Sequence, residues 1–447
     1  MPSVGALDGE IMAIGARLAE AFPRRGLHPV RALDDKAMEL ASRDAELRAA
    51  LFRLVDVTPA TRSLDDLARH LSEYLDDVEE RPPSLDVAMR MAGSGPGRRA
   101  LGAAAAAGVR HMAHRFIVGS SPKDAVGVLR DLWRQGIASS VDLLGEATVT
   151  QPEADRYAAR CAEALDVLAG AYTRWDHRAR LETDSVGALP RANLSVKVSA
   201  LTPLLRPDAP DIGRADAAAR LRPLLAQARD LGAHLHVDME SLDSMEATLD
   251  LVGGLLSEDE FADGPSTGIV LQAYLRESPH MLDRILDWTQ AHRSRPPLVV
   301  RLVKGAYWDH EVIEARQHGW DAPVFEDKRA CDRNYEELTR RLLDARPLVR
   351  VAIASHNLRS VAHAIAYDRA IGGEPGDVEF QVLRGLGDDL ARALASLDVR
   401  VRAYCPVGDL VAGMAYLVRR LLENTSNESF LAEQASGVAI EQLLAAP

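Results

Sequence analysis

Leu298 to Trp308 reads LVVRLVKGAYW. Aliphatic residues fill five of its first six positions, the composition of a strand buried on both faces, as in a parallel sheet. Arg301 interrupts the run and Lys304 follows it, and an unpaired buried cation is costly. Gly305 lets the backbone turn or approach a ligand closely, and Tyr307 and Trp308 add large flat faces. The bland account is a core strand whose Arg and Lys snorkel at its end. The surrounding pattern favours a strand that delivers charge and aromatic surface to a pocket.

Outward from this stretch, short apolar runs alternate with longer amphipathic ones. Candidate strands are Val141 to Glu146, Leu194 to Ser199, His234 to Asp238, Gly268 to Tyr274, Leu298 to Val303, Val349 to Ser355, Val378 to Val382 and Val399 to Tyr404. Helical stretches between them include Glu153 to Arg174, Ala215 to Leu231, Leu242 to Leu256, Met281 to His292 and Leu358 to Tyr367. Strand and helix in alternation give right-handed βαβ units, and eight of them fit an α/β fold, a (β/α)8 TIM barrel. Such barrels carry their sites at the carboxyl ends of the strands. Those ends hold, in order, Glu146, Lys197, Asp238, Gln272, Arg301 with Lys304, His356, Gln381 with Arg384, and Tyr404. One such residue is a rim hydrogen bond; eight ends together predict a polar pocket.

Residues 1–121 form a separate expectation, a helical N-terminal module ahead of a barrel over 122–447. Leu47, Leu51 and Leu54, then Leu64, Leu67, Leu71 and Leu75, recur at helical spacing. Pro82 with Pro83, and Ser94 to Gly97, break the pattern. Gly93, Gly95 and Gly97 imitate a dinucleotide fingerprint, but the third glycine is misplaced and no strand precedes them. The alanine run Ala103 to Ala107 is too short to cross a bilayer and predicts close helix packing.

The 447 residues carry 53 basic and 66 acidic side chains, a net charge of −13, which argues against general nucleic-acid binding. Cys161, Cys331 and Cys405 lie far apart with no zinc or dithiol spacing, so a reducing cytoplasm is the expected home.

Two chemistries fit the pocket. His234 and His236 form an HxH pair on one strand face with Asp238, and with His356 and Lys304 they could build a metal-dependent, amidohydrolase-like hydrolase. The pair lies at the start of its strand, however, where a barrel has its floor. The other chemistry is redox with a bound organic cofactor. Arg301, Lys304 and the Gly305 turn offer charge and open backbone to a diphosphate, Trp308 a stacking face, and Gln272 a hydrogen bond to a heterocycle.

Longer motifs choose between these. RLVKGAYWDHE (301–311), ASHN (354–357), EFQVLRGLG (379–387), RAYCPVGDL (402–410) and YLVRRLLENTSNESF (416–430) closely resemble the proline dehydrogenase domain of the proline utilization A family. LGEA at 144–147, SVKVSAL at 195–201 and HVDME at 236–240 extend the likeness, and LFRLVDVTP near Leu51 is similar to that family's helical N-terminal part. Most of the chain is covered.

The resemblance implies a distorted barrel that oxidises L-proline to Δ1-pyrroline-5-carboxylate with non-covalent FAD and passes electrons to a membrane quinone. It implies flavin contacts at Gln272, Arg301, Val303, Lys304, Gly305, Ala306, Trp308, His356 and Glu423. Substrate contacts fall on Lys197, Asp238, Tyr307, Leu383, Tyr404, Arg419 and Arg420, with Glu146 as gate. After Pro323 the sequence VFEDKRACD departs from the family, leaving Lys328 as the flavin-phosphate ligand there. The family's ribbon-helix-helix and aldehyde dehydrogenase parts are not in the sequence, so a monofunctional enzyme or one half of a bifunctional one is expected. A separate pyrroline-5-carboxylate dehydrogenase is then a partner, and a peripheral position at the inner membrane face follows from the quinone. For Arg419 and Arg420 to grip a carboxylate, the eighth helix must lie over the carboxyl ends of the strands. Pro122 to Gln135, with Val126, Leu129, Leu132 and Trp133 as its apolar face, would then cover the exposed flank.

Overall fold

The structure, a computed structural model, describes residues 4–22, 45–78, 86–87, 89–90, 94–145, 147–409, 413 and 438–447. Eight parallel strands close into a barrel in sequence order. They are β1 (Ile137–Leu143), β2 (Asn193–Lys197), β3 (His234–Asp238), β4 (Ser266–Gln272), β5 (Leu298–Val303), β6 (Val349–Ala354), β7 (Val378–Leu383) and β8 (Val401–Val407). Outward-facing residues such as Val196, Leu235, Val300, Leu302 and Ile353 are fully buried under the surrounding helices, which is why these strands read as apolar runs.

The first strand begins four residues earlier than expected and ends at Leu143. Its register against β8, Ile137 with Val401 through Leu143 with Val407, sets its length. The small polar residues Ser139 and Ser140 hid its start from an apolar pattern, yet both are buried. A feature the sequence did not announce lies at the floor: a hairpin pairing Thr183–Asp184 with Gly187–Ala188. It plugs the barrel there, with Asp184 Oδ2 2.9 Å from Arg350 Nε and 3.4 Å from Arg400 Nη1.

The N-terminal helices are α1 (Val4–Glu20), α2 (Ala45–Val57), α3 (Leu64–Asp76) and α4 (Gly95–Phe116). Leu7, Ile11, Ile14 and Leu18 of α1 join the barrel's own core. A second, smaller core gathers Leu47 and Leu54, then Leu67, Leu71 and Leu75, then Val109 and Phe116. The expected break at Ser94 is instead a helix start, because the Ser94 side chain accepts from the Gly97 amide and Pro96 occupies the first turn. Close packing does occur beside the alanine run, but at Gly102, where a Cβ would lie 1.9 Å from the Leu64 carbonyl oxygen. Pro82 and Pro83 lie outside the described residues.

Helix α5 (Pro122–Arg134) packs against β1 and is capped by Ser121. It buries Ala125, Leu129, Leu132 and Trp133; Val126 is only half-buried, so the face is rotated by one residue from the expected one. Just before α5, Gly119 pairs with Val407 at the end of β8. The segment proposed as the eighth helix lies outside the described residues.

Candidate active site

Inward positions recur every second residue along a strand, and near the carboxyl ends they fall on Asp142, Lys197, Asp238, Arg301 and Tyr404. The five side chains meet. Lys197 Nζ lies 2.5 Å from Asp142 Oδ1 and 3.5 Å from Asp238 Oδ2. Arg301 Nη1 donates to Asp238 Oδ1 at 2.6 Å, and the Tyr404 hydroxyl donates to Asp238 Oδ2 at 2.5 Å. The Arg301 guanidinium also lies 5.3 Å from the Tyr404 ring centroid and donates to Ser195 Oγ at 3.2 Å. The cation that seemed unpaired in the sequence therefore has a buried carboxylate. Deleting one partner of such a pair typically costs about 3–5 kcal/mol.

Burial alone would lower the Lys197 pKa, but the Asp142 and Asp238 carboxylates outweigh it and hold the ammonium above its ordinary value. Burial, reinforced by the same two carboxylates, pushes the Tyr404 phenol well above its ordinary value, so it stays a neutral donor. Beneath the cluster, Glu379 receives two bonds from Arg402 at 2.8 and 2.9 Å. Although burial opposes its ionisation, Arg402 and Arg400 hold its carboxyl down at about 2.

Beside the cluster runs the glycine turn. Gly305 has φ +136°, and a Cβ there would lie 2.3 Å from the Tyr274 ring. A side chain is thus excluded on both conformational and steric grounds. Gly305 and Ala306 are exposed, Val303, Lys304 and Tyr307 half-buried, and Trp308 is 38% exposed with its indole N–H donated to the Phe325 carbonyl. Lys304 pairs with Asp332 of helix α11 (Lys328–Asp344), numbered after α6 (Gln151–Tyr172), α7 (Pro210–Asp230), α8 (Leu242–Ser257), α9 (Ser278–Ala291) and α10 (Trp308–His318). Lys328 opens α11, behind the N-cap Asp327. Gln272 donates to the Glu240 carbonyl, while its Oε1 is buried with no partner among the described residues. His356 Nε2 accepts from the Leu383 amide at 2.9 Å, tying the ends of β6 and β7 together.

Several expectations change. β1 ends at Leu143 and carries a buried carboxylate, Asp142, that the expected set of pocket residues did not include; Glu146, Arg419, Arg420 and Glu423 lie outside the described residues. Gln381 turns to Glu379 inside the barrel at 2.7 Å instead of facing the rim. The hydrolase reading fails on geometry. His234 and His236 bond each other at 3.1 Å and His234 bonds Ser266 Oγ at 2.9 Å. Both lie below Asp238 on β3, whereas His356 serves the Leu383 amide beyond the opposite end of the barrel. Burial, aided by Arg402, pulls His234 down to about 3, and burial with Arg301 pulls His236 well below its ordinary value. The pair is a neutral, hydrogen-bonded part of the interior.

Residues 125–433 match the family described as Proline dehydrogenase. The chain belongs to the proline dehydrogenase family. Residues 8–116 match the Proline utilization A N-terminal domain. Within this family the chain is 33% identical over 350 residues to the bifunctional protein PutA of Klebsiella aerogenes, covering 76% of this chain and 25% of that protein. It is 26% identical over 336 residues to proline dehydrogenase 1 of Bacillus subtilis, covering 73% of this chain and 92% of that one. The crystal structure of proline utilization A from Bdellovibrio bacteriovorus inactivated by N-propargylglycine superposes with a TM-score of 0.88 at 34% identity, over 98% of this chain and 44% of that one. The match thus covers about a quarter of the Klebsiella protein and less than half of the Bdellovibrio chain.

Proposed function

We propose that this chain oxidises L-proline to Δ1-pyrroline-5-carboxylate with non-covalent FAD and hands the electrons to a quinone. The observation that carries the reading is the cluster of Asp142, Lys197, Asp238, Arg301 and Tyr404 at the carboxyl ends of the strands, beside the Gly305 turn.

The residues present fit a flavin. Arg301 Nε and Gln272 Oε1 are buried polar atoms with no partner among the described residues, and a heterocycle edge offers complementary donors and acceptors. Val303, Lys304, Gly305, Ala306, Trp308, Lys328, His356 and Glu423 complete the proposed cofactor contacts. When bound, FAD supplies the hydride acceptor.

Oxidation removes a hydride from the ring carbon next to nitrogen and a proton from that nitrogen, leaving a C=N bond. The amine must therefore be held unprotonated, and positioning dominates over acid-base work. Tyr404 limits ring size, Lys197 and Asp238 fix polar atoms beside it, and Tyr307 and Leu383 wall the ring. Arg419 and Arg420 are assigned the substrate carboxylate, and Glu146 the gate. A peripheral site at the inner membrane face would meet the quinone; among the described residues no helix is long and apolar enough to cross a membrane. A pyrroline-5-carboxylate dehydrogenase is the proposed partner for the product.

The test is turnover by FAD-loaded protein with L-proline and a soluble quinone, trapping the cyclic imine with an aromatic amine. Imine that forms only with FAD and the L-isomer supports the reading. No imine from fully FAD-loaded protein would overturn it.

A further inference from the structure

The N-terminal helical module ends on the active-site rim. Phe116, the last residue of α4, is 1% exposed, and its ring lies against Gly385 in the loop that leaves β7. Gly385 has φ +85°, and a Cβ there would lie 2.6 Å from the Phe116 ring and 2.8 Å from the Arg115 carbonyl oxygen. Arg115 Nε donates to the Gly385 carbonyl at 3.1 Å. Leu386 packs against the module's own core instead of the barrel's.

The same stretch also grips β8. Directly after Phe116 the Val118 amide donates to the Pro406 carbonyl at 2.9 Å, and the Gly408 amide donates to the Gly119 carbonyl at 3.0 Å. Residues 115–119 therefore touch the ends of both strands that carry Leu383 and Tyr404. The loop itself is short and stiff: the Leu386 and Gly387 amides both donate to the Leu383 carbonyl, and the Arg384 amide donates to the Tyr404 carbonyl. A shift at Gly385 is passed to Leu383 with little slack to absorb it.

We infer that Arg115 and Phe116 are positioning residues that fix the Leu383 wall of the pocket, which makes the N-terminal module a determinant of substrate specificity. The inference rests on the proposed function, which gives Leu383 to the substrate.

FAD-loaded wild type, Arg115→Met, Arg115→Lys and Phe116→Leu are compared by two independent readouts. One is amide hydrogen exchange at 383–387; the other is kcat and KM for L-proline and for a hydroxylated proline. Losing the Arg115 bond should speed exchange in the loop and raise the proline KM about two- to tenfold, the scale of one hydrogen bond, with kcat and flavin content held. The proline-to-hydroxyproline ratio of kcat/KM should fall, and Arg115→Lys, which keeps a donor, should restore part of it. Phe116→Leu keeps an apolar plug and should move both readouts in the same direction without unfolding the module.

Unchanged exchange in Arg115→Met and Phe116→Leu would overturn the inference. So would faster exchange with an unchanged substrate ratio, because the loop would then not read the ring. If wild type forms no imine, the proposed function fails by itself, and with it the specificity role; the exchange data would still report whether the module holds the loop.

Discussion

Lys197 Nζ lies 2.5 Å from Asp142 Oδ1, across the seam where β2 meets β1. That carboxylate and Asp238 together keep the ammonium charged against the pull of burial. Asp142→Asn should therefore let Lys197 lose its proton at lower pH and pull the alkaline limb of the kcat/KM profile down with it. Because the folded-state value is raised, the pair's contribution to stability is full below the ordinary lysine value and is lost only as pH rises through the folded one. A pH profile identical in wild type and Asp142→Asn would contradict the coupling.

Tyr404 holds Asp238 with its hydroxyl and lies beneath the Arg301 guanidinium. Tyr404→Ser opens space on the ring side of the pocket. Discrimination by shape in such pockets is modest, about 1–3 kcal/mol. The variant should gain on hydroxyproline relative to proline by a corresponding factor, and an unchanged ratio of the two kcat/KM values would remove Tyr404 from the pocket wall.

Gly305→Ala places a methyl into the Tyr274 ring at a backbone angle that alanine avoids. The turn must open, so retained FAD should fall by at least about tenfold in affinity, the effect of roughly 1.4 kcal/mol of strain. Flavin released on denaturation, measured per mole of purified protein, checks it; full occupancy after dialysis would count against the turn as a cofactor cradle.

His234 and His363 are held at about 3 by burial with Arg402 and Arg340 respectively, and His236 is held well below its ordinary value. All three are neutral in the fold and take up protons on unfolding once the pH is below about 6.5. Stability should be full above that value and fall as the pH drops toward 3, each histidine adding about 1.4 kcal/mol per pH unit within the window. His234→Asn should flatten the slope between pH 6 and 5 by about one proton. Urea midpoints across that range measure it, and an unaltered slope would refute a buried neutral His234.

The parts legible in the sequence share a physical cause. β3 and β5 were found at their true boundaries because their outward residues are sealed under helices and stay apolar. The start of β1 does not read as a strand because small polar residues occupy both of its faces: Ser140 Oγ donates inside the barrel to Asn193 Oδ1 of the adjacent β2 at 2.7 Å, and Ser139 bonds Tyr172 of α6 on the outside. The resulting misplacement of the strand concealed Asp142, since a carboxylate second in a strand does not read as a pocket residue. The hairpin carrying Asp184 gave no periodic signal at all: its role lies in long-range pairs with Arg350 and Arg400, more than 160 residues away. Arg301 was legible because a cation inside an apolar run requires a partner, although the sequence could not say which carboxylate supplies it.

The carboxyl-end cluster and the Gly305 turn are proposed to hold a flavin that L-proline reduces. Anaerobic addition of L-proline to the FAD-loaded protein, followed by visible absorbance, tests it most directly. The oxidised-flavin bands should bleach with L-proline and not with D-proline, and Arg301→Met should slow the bleaching by removing charge-assisted hydrogen bonds. Oxidised-flavin bands that persist in L-proline, with FAD bound at full occupancy, would contradict it.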